Sequence, residues 1–303
     1  MNINHLKLFV RVTKTHNISM AGRALGLSPA VASAQLNKLE DDLGVRLLHR
    51  STRKVSLTEE GRAFLPHAQE VLHGVEAAEA SVGRGKVLPK GTLRVTAPAS
   101  FGRLHLIPVL KDFLTRYPDL TVDLQLTDTI VDLVEGGFDI AIRNANLQDS
   151  TLIGRKLAPD TRIICCSPAY LEKHGEPKTP YDLQNHQCVI LAGLENWVFD
   201  SPEGQIPIKS SGRLRVDHGE AMRDGCLAGM GIALVSTWIV HEQLQRGEIV
   251  QILQNYPYVS NAAIWAVYPS SRLLAPKVRR FIDYLADCYG NPPYWDYQLQ
   301  NLP

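Results

Sequence analysis

Cysteine is scarce in this chain, and the five present, at positions 165, 166, 188, 226 and 288, form neither an even set nor a metal-ligand spacing. A disulfide framework and a structural zinc site are both disfavoured. Cys165 and Cys166 fall in an apolar, strand-like run, so buried thiols are the expected reading, with a redox switch as the lesser alternative. The start of the chain carries Lys7 and Arg11 where a secretory signal needs an apolar run. The uncharged stretch from Gly225 to Val240 is too short and too rich in glycine for a span of roughly 20 residues. A cytoplasmic location without a membrane partner is expected. Catalytic signatures are missing too: no G-x-S-x-G, H-E-x-x-H, Walker loop or paired-cysteine motif occurs. Gly229-Met230-Gly231 lacks the third glycine of a dinucleotide fingerprint and follows a helical segment. Neither catalysis nor a cofactor is expected.

What is present is a charge asymmetry that the near-neutral total of +1 hides. Residues 1–58 hold nine Lys and Arg against three Asp and Glu, a net +6, which leaves −5 for residues 59–303. A basic head on an acidic body points to a polyanionic partner for the head.

Residues 28–57 make nucleic acid the first hypothesis for that partner. Ser28 suits a helix N-cap, and Pro29 suits the first helical position, where its missing N–H costs nothing. Ala32, Leu36, Leu39 and Leu43 recur at helical spacing as one buried stripe, which leaves Ala30, Ser33, Ala34, Asn37 and Lys38 on a small, polar outer face. Gly44 supplies a stop. Val45 to Leu57 then reads as a hairpin whose tip, His49, Arg50, Ser51, Thr52, Arg53 and Lys54, suits phosphate. Upstream, Leu6, Phe9, Val10 and Thr13 share a face, and a short helix after Ser19 turns Ala21, Ala24 and Leu25 inward before Gly26 breaks it. Helix, short helix, tight turn and capped helix is the helix-turn-helix order, and the hairpin makes it winged. A three-helix bundle with a surface hairpin and no nucleic acid is the open alternative.

Thr58 is the next N-cap, with Glu59 and Glu60 in the first turn, where the helix dipole favours them. Phe64, Ala68, Val71, Leu72, Val75 and Val82 keep one side apolar over Glu59–Val82, a helix of about 36 Å at 1.5 Å per residue. So long a stripe calls for a partner helix, hence a homodimer, or else for packing against the body. Pro66 should bend this helix or mark its junction with the head. Gly83, Gly85, Pro89 and Gly91 punctuate a hinge that sets the domain boundary.

Beyond it strands and helices alternate. Strands are expected at 93–96, 121–126 and 140–143, with helices at 101–116 and 130–135 between them. A second series holds strands at 162–166, 188–191, 214–216 and 232–235 and a helix at 220–228; a strand at 263–268 and a helix at 276–288 complete the return. Two α/β lobes with crossovers leave a cleft, where ligands settle at strand ends beside helix N-termini. The expected domains are 1–58 (winged head), 59–90 (linker helix and hinge) and 91–303 (effector domain), with lobe I about 91–161 and 268–290 and lobe II about 162–267.

The runs Ala21-Gly22-Arg23-Ala24-Leu25-Gly26-Leu27-Ser28, Gln35-Leu36-Asn37-Lys38-Leu39-Glu40, Leu43-Gly44-Val45-Arg46-Leu47-Leu48, Leu57-Thr58-Glu59-Glu60-Gly61 and Gly91-Thr92-Leu93-Arg94-Val95 resemble the LysR-type transcriptional regulators. The strand Asp139-Ile140-Ala141-Ile142-Arg143, the turn Gly229-Met230-Gly231-Ile232-Ala233 and the tail Pro292-Pro293-Tyr294-Trp295-Asp296 are similar to one large branch of that family. The resemblance covers nearly the whole chain. It implies an α+β multi-domain protein: a winged helix-turn-helix, a dimerising linker helix and a two-lobed α/β effector domain like a periplasmic binding protein. It also implies a tetramer, a small-molecule effector and double-stranded DNA as partner. The family proline usually falls one residue later, and a basic residue is common where Ala34 stands here. Base readout therefore shifts to Pro29, Ala30, Ser33 and Asn37, with Lys38, Arg50, Arg53 and Lys54 on the phosphates.

For the effector, the strand ends offer Ser100, Phe101, Thr127, Asp128, Arg143, Asp217, His218 and Gly219, a set of hydroxyls, helix N–H groups and one Arg that suits an organic anion. Each has a plainer reading. Ser100, Thr127 and Asp128 could only cap helices, Arg143 could sit in an ion pair, and His218 could be surface. Trp197 and Phe199 read as aromatic core or as pocket wall. A small-molecule binding protein without a DNA role is the rival function.

Overall fold

The computed structural model describes residues 2–50, 55–82, 88–146, 153–269 and 274–297. The chain divides into two compact units: Met1–Pro89 with Asp132–Phe138 and Ser271–Arg279, and Lys90–Val131 with Asp139–Ser270 and Arg280–Pro303.

In the first unit, α1 (Ile3–Thr15), α2 (Ile18–Arg23) and α3 (Pro29–Leu43) precede a hairpin of β1 (Leu48–Arg50) and β2 (Val55–Leu57), and α4 (Glu59–Val82) follows. Local chemistry sets each boundary. Asn17 caps α2 by accepting the Met20 N–H at 2.9 Å. Ser28 caps α3, Pro29 opens it, and Gly44 closes it in the left-handed conformation at φ 72°. Leu6, Phe9, Val12, Ala21, Ala32, Leu36, Leu39, Leu47 and Val55 form one core, onto which α4 lays Phe64 and Ala68. Thr58 caps α4 through the Gly61 N–H at 2.9 Å and donates its own hydroxyl to the Arg46 carbonyl at 2.7 Å. Gly61 has to be glycine here, because a Cβ would stand 2.0 Å from the Leu47 carbonyl oxygen.

Several expectations for this unit need correction. Ala24 and Leu25 are exposed, because α2 ends at Arg23 and the chain has already left the helix; Gly22 is buried instead, pressed so close to Ala32 that a Cβ would lie 2.8 Å from its methyl. In α1 the inward face includes Leu8 and Val12, whereas Val10 and Thr13 are only half-buried.

The second unit holds two mixed five-stranded sheets. β3 (Gly91–Ala97), β4 (Leu120–Leu126), β5 (Ile140–Ala145) and β6 (Ile153–Pro159) belong to the first. The second is built from β7 (Arg162–Cys166), β8 (Cys188–Leu191), β11 (Leu214–Val216), β12 (Ile232–Ser236) and β13 (Val250–Ile252), with a separate hairpin of β9 (Asn196–Phe199) and β10 (Ile206–Lys209). The chain then returns as β14 (Ala263–Tyr268). That strand pairs antiparallel with β5 and β6, so the first sheet reads β4-β3-β5-β14-β6 and residues 263–267 belong to lobe I, not lobe II. The helices are α5 (Ala99–Phe101), continued by a π-helical turn at Gly102–Leu106 and by α6 (Ile107–Arg116), then α7 (Pro168–His174), α8 (Gly219–Leu227), α9 (Thr237–Gln245), α10 (Pro276–Tyr289) and α11 (Tyr294–Tyr297).

No helix forms at 130–135. Asp132 accepts the Val134 and Glu135 N–H groups at 2.7 and 2.8 Å, and the Gly136-Gly137 pair turns the chain at once. Among the described residues no helix is long and apolar enough to cross a membrane.

Candidate functional sites

The outward face of α3 is solvent-exposed at Pro29, Ala30, Ala34, Asn37 and Lys38, with Ser33 half-buried beside them. Ser28 is spent locally, its hydroxyl oxygen accepting the Val31 N–H at 3.4 Å. Lys38 reaches Asp42 one turn on at 2.9 Å, which raises its pKa through that hydrogen bond and attraction; its side chain remains 66% exposed. A small, polar helix face of this kind can lie close to base edges in a major groove.

The wing is fixed by a residue that the sequence reading passed over. Glu40, on α3, has a buried carboxylate that accepts the backbone N–H groups of Leu47 and Leu48 at 2.9 and 3.1 Å, and the guanidinium groups of Arg46 and Arg50, each at 2.9 Å. Burial alone would push this carboxyl up, but those donors outweigh it and hold its pKa below the ordinary value. Arg50, expected on phosphate, thus spends at least one of its donors inside the protein. Ser51, Thr52, Arg53 and Lys54 lie outside the described residues.

The second site is a cavity of about 400 Å³ in the second unit, lined by residues from both lobes. Ser100, Thr127, Asp128, Arg143, Asp217 and Gly219 line it. Phe101 does not: fully buried, it packs edge-on against Trp238, Tyr289 and Trp295, because the helix places it one position past Ser100, on the core side. His218 is not in the lining either. Its Nε2 lies 3.3 Å from the Ser100 hydroxyl and 4.0 Å from Asp128, which ties the two lobes beside the cavity. Trp197 and Phe199 are buried core, the Trp197 indole donating to the Leu194 carbonyl at 3.0 Å. Asp128 does cap a helix, accepting the Ala99 N–H at 3.2 Å. A second lobe-to-lobe tie joins Arg103 to the buried carboxylate of Glu220, which also meets Arg223 of its own helix at 3.4 Å.

Two arginines face the cavity, with opposite electrostatics. Arg143, on β5, gives one hydrogen bond, to the Val131 carbonyl at 3.3 Å, and among the described residues meets no carboxylate. Burial pulls its pKa down, the signature of a cation short of partners. Arg162, absent from the expected set, opens β7 and bonds Asp160 at 2.8 Å. The other oxygen of that fully buried carboxylate takes the Trp238 indole N–H at 2.9 Å. The signal for Arg162 was its place at the start of a strand beside a crossover. Gly219 brings the N-terminus of α8 to the wall. The arrangement can bind and orient a small molecule; among the described residues no group of three potential metal ligands occurs.

A basic winged helix-turn-helix followed in the chain by a two-lobed unit with a cavity defines a ligand-responsive DNA-binding regulator. Residues 3–62 match the bacterial regulatory helix-turn-helix family of the lysR type, and residues 86–288 match the LysR substrate-binding domain. The chain belongs to the LysR family of transcriptional regulators. It is 36% identical to the HTH-type transcriptional regulator DmlR of Escherichia coli, over 95% of this chain and 94% of the relative. Among solved structures, CrgA, a LysR-type regulator from Neisseria meningitidis, is 32% identical and superposes with a TM-score of 0.61, over 95% of this chain and 98% of that one. The full-length Vibrio cholerae virulence activator AphB is 27% identical with a TM-score of 0.59, over 95% and 99% of the two chains. The family places the chain among DNA-binding regulators rather than enzymes, with a small-molecule effector and an oligomeric assembly as its partners.

Proposed function

We propose that the effector is a small organic anion held in the cavity between the lobes, and that it changes how the winged heads occupy DNA. The observation that carries this reading is Arg143, a half-buried guanidinium without a carboxylate partner among the described residues, on the wall of a cavity that also offers the Ser100 and Thr127 hydroxyls and the α8 N-terminus. The anion stabilises whichever arrangement of the lobes surrounds it best, and the linker helices carry that bias to the heads as a shift between two assemblies.

The chain pairs through α4, on which Val71 is exposed and Leu72 and Val75 are half-buried, and two such dimers form a tetramer. The operator is an imperfect palindrome with half-sites about one helical turn apart, or a multiple of it. Pro29, Ala30, Ser33 and Asn37 meet base edges, and Lys38 exchanges Asp42 for phosphate. Footprinting of the full chain on the DNA upstream of its own gene, at two salt concentrations and with a panel of organic acids, tests this: a salt-sensitive footprint should change length with an acid. Arg143→Ala should abolish that change and leave DNA occupancy intact. Unaltered induction in the variant would remove Arg143 from the site.

A further inference from the structure

Every cation and anion around the cavity bears on what fits inside it. Arg162 is already neutralised by Asp160 at 2.8 Å and held in place, since the same carboxylate is anchored by the Trp238 indole. That leaves Arg143 as the single cation on the wall, among the described residues, with no carboxylate bonded to it. Asp128 and Asp217, the acids in the lining, are both exposed and sit at the rim. The rest of the wall is largely apolar: Leu191, Met222, Leu234, Val235, Ile239 and Val267 contribute to it, and all but Leu191 are buried. At about 400 Å³ the space falls within the roughly 300–1,000 Å³ that drug-sized ligands occupy.

A ligand with one carboxylate satisfies Arg143 and leaves nothing charged against the apolar wall. A second carboxylate would have to sit on that wall, where an unpaired charge is costly, or approach the two rim aspartates, which repel it. We infer that the effector is a monocarboxylate with a sizeable aromatic or aliphatic body, its carboxylate on Arg143 and its body against Leu191, Met222 and Ile239, and that the cavity selects against dicarboxylates. This rests on the anion-site reading above and narrows it.

The test is calorimetric titration of the full chain with 4-phenylbutyrate, its neutral amide 4-phenylbutyramide, and succinate. 4-Phenylbutyrate should bind at least tenfold tighter than either of the others, and Arg143→Gln should bring it down to the level of the amide. Asp217→Asn, which removes one of the two lining acids, should strengthen succinate binding by a larger factor than 4-phenylbutyrate binding, because only the second carboxylate of succinate has to approach that residue. Succinate binding more tightly than 4-phenylbutyrate, with both lost in Arg143→Gln, would overturn the ligand class and leave the anion site standing. Equal binding of acid and amide, indifferent to Arg143→Gln, would overturn the anion site itself. Absence of binding by all three at millimolar concentration would overturn both.

Discussion

Glu40 of α3 accepts a hydrogen bond from Arg50 of the β1–β2 hairpin at 2.9 Å, so the helix and the wing of the head are joined by one buried charge. Because the same carboxylate also holds the Leu47 and Leu48 N–H groups, Glu40→Ala would leave buried donors and two guanidinium groups without their acceptor. Breaking a buried pair from one side costs about 3–5 kcal/mol. Glu40→Ala should therefore destabilise the head by about that much and weaken DNA binding, whereas Arg46→Ala, at a side chain 69% exposed, should cost under about 1 kcal/mol. Denaturant unfolding followed by gel shift separates the two; equal losses would mean that the carboxylate is not the centre of the joint. The sign with pH follows from the lowered pKa: the stabilisation is complete above the unfolded-state value of about 4.3 and is lost as pH falls through the folded value.

That joint also marks where sequence reading stops. The caps of α3 were legible because they are local: Ser28, Pro29 and Gly44 act on their own neighbours. Glu40 was not, since an acid in Leu39-Glu40-Asp41-Asp42 looks like solvated surface until the Leu47–Leu48 backbone arrives to meet it. The same holds in the cavity. Ser100, Thr127, Asp128, Arg143 and Gly219 could be found from strand and helix ends, but Arg162 and the lobe of β14 depend on which strand becomes whose neighbour. Phe101 failed for a related reason: one position along a helix turns a side chain by about 100°, enough to move it from cavity to core.

Arg103 and Glu220 join the two lobes beside the cavity, and so do Ser100 and His218. Arg103 is 61% exposed, so solvent screens its share of the pair and the tie is worth about 1 kcal/mol. Arg103→Met should shift the balance between closed and open lobes by about fivefold, read as a broader distance distribution between spin labels placed one on each lobe. An unchanged distribution would assign closure to packing alone.

Four of the five cysteines are buried, and burial pushes the thiols of Cys166 and Cys188 up to about 12 and about 11, while Cys165 is raised by its contact with Cys226 and by burial. A thiol so held supplies almost no thiolate at neutral pH. A colorimetric thiol reagent added to the native chain should react promptly with Cys288 alone, which is partly exposed, and with the other four only after unfolding. Prompt reaction of two or more thiols would show that the second sheet opens, and would return redox chemistry to consideration.

His105 sets a pH dependence of its own. Its Nε2 donates to the Trp238 carbonyl at 2.8 Å, which leaves Nδ1 to accept the Tyr294 hydroxyl at 2.5 Å and fixes the neutral tautomer. Phe101, Trp238, His241 and Trp295 enclose the ring. Burial, with a smaller push from His241, lowers its pKa to about 4 against the favourable Trp238 carbonyl. The unfolded chain takes up this proton below about pH 6.5, the folded chain only below about 4, so protonation favours unfolding throughout that window. The stability is present in full above pH 6.5 and falls as the pH drops; at pH 5 about 2 kcal/mol is gone. His105→Gln keeps an N–H for Trp238 and an acceptor for Tyr294 but cannot titrate. Urea unfolding of both proteins at pH 7.5 and pH 5, followed by tryptophan fluorescence, should show the variant losing about 2 kcal/mol less than the parent between the two. Equal losses would mean that folding does not lower the affinity of the ring for a proton.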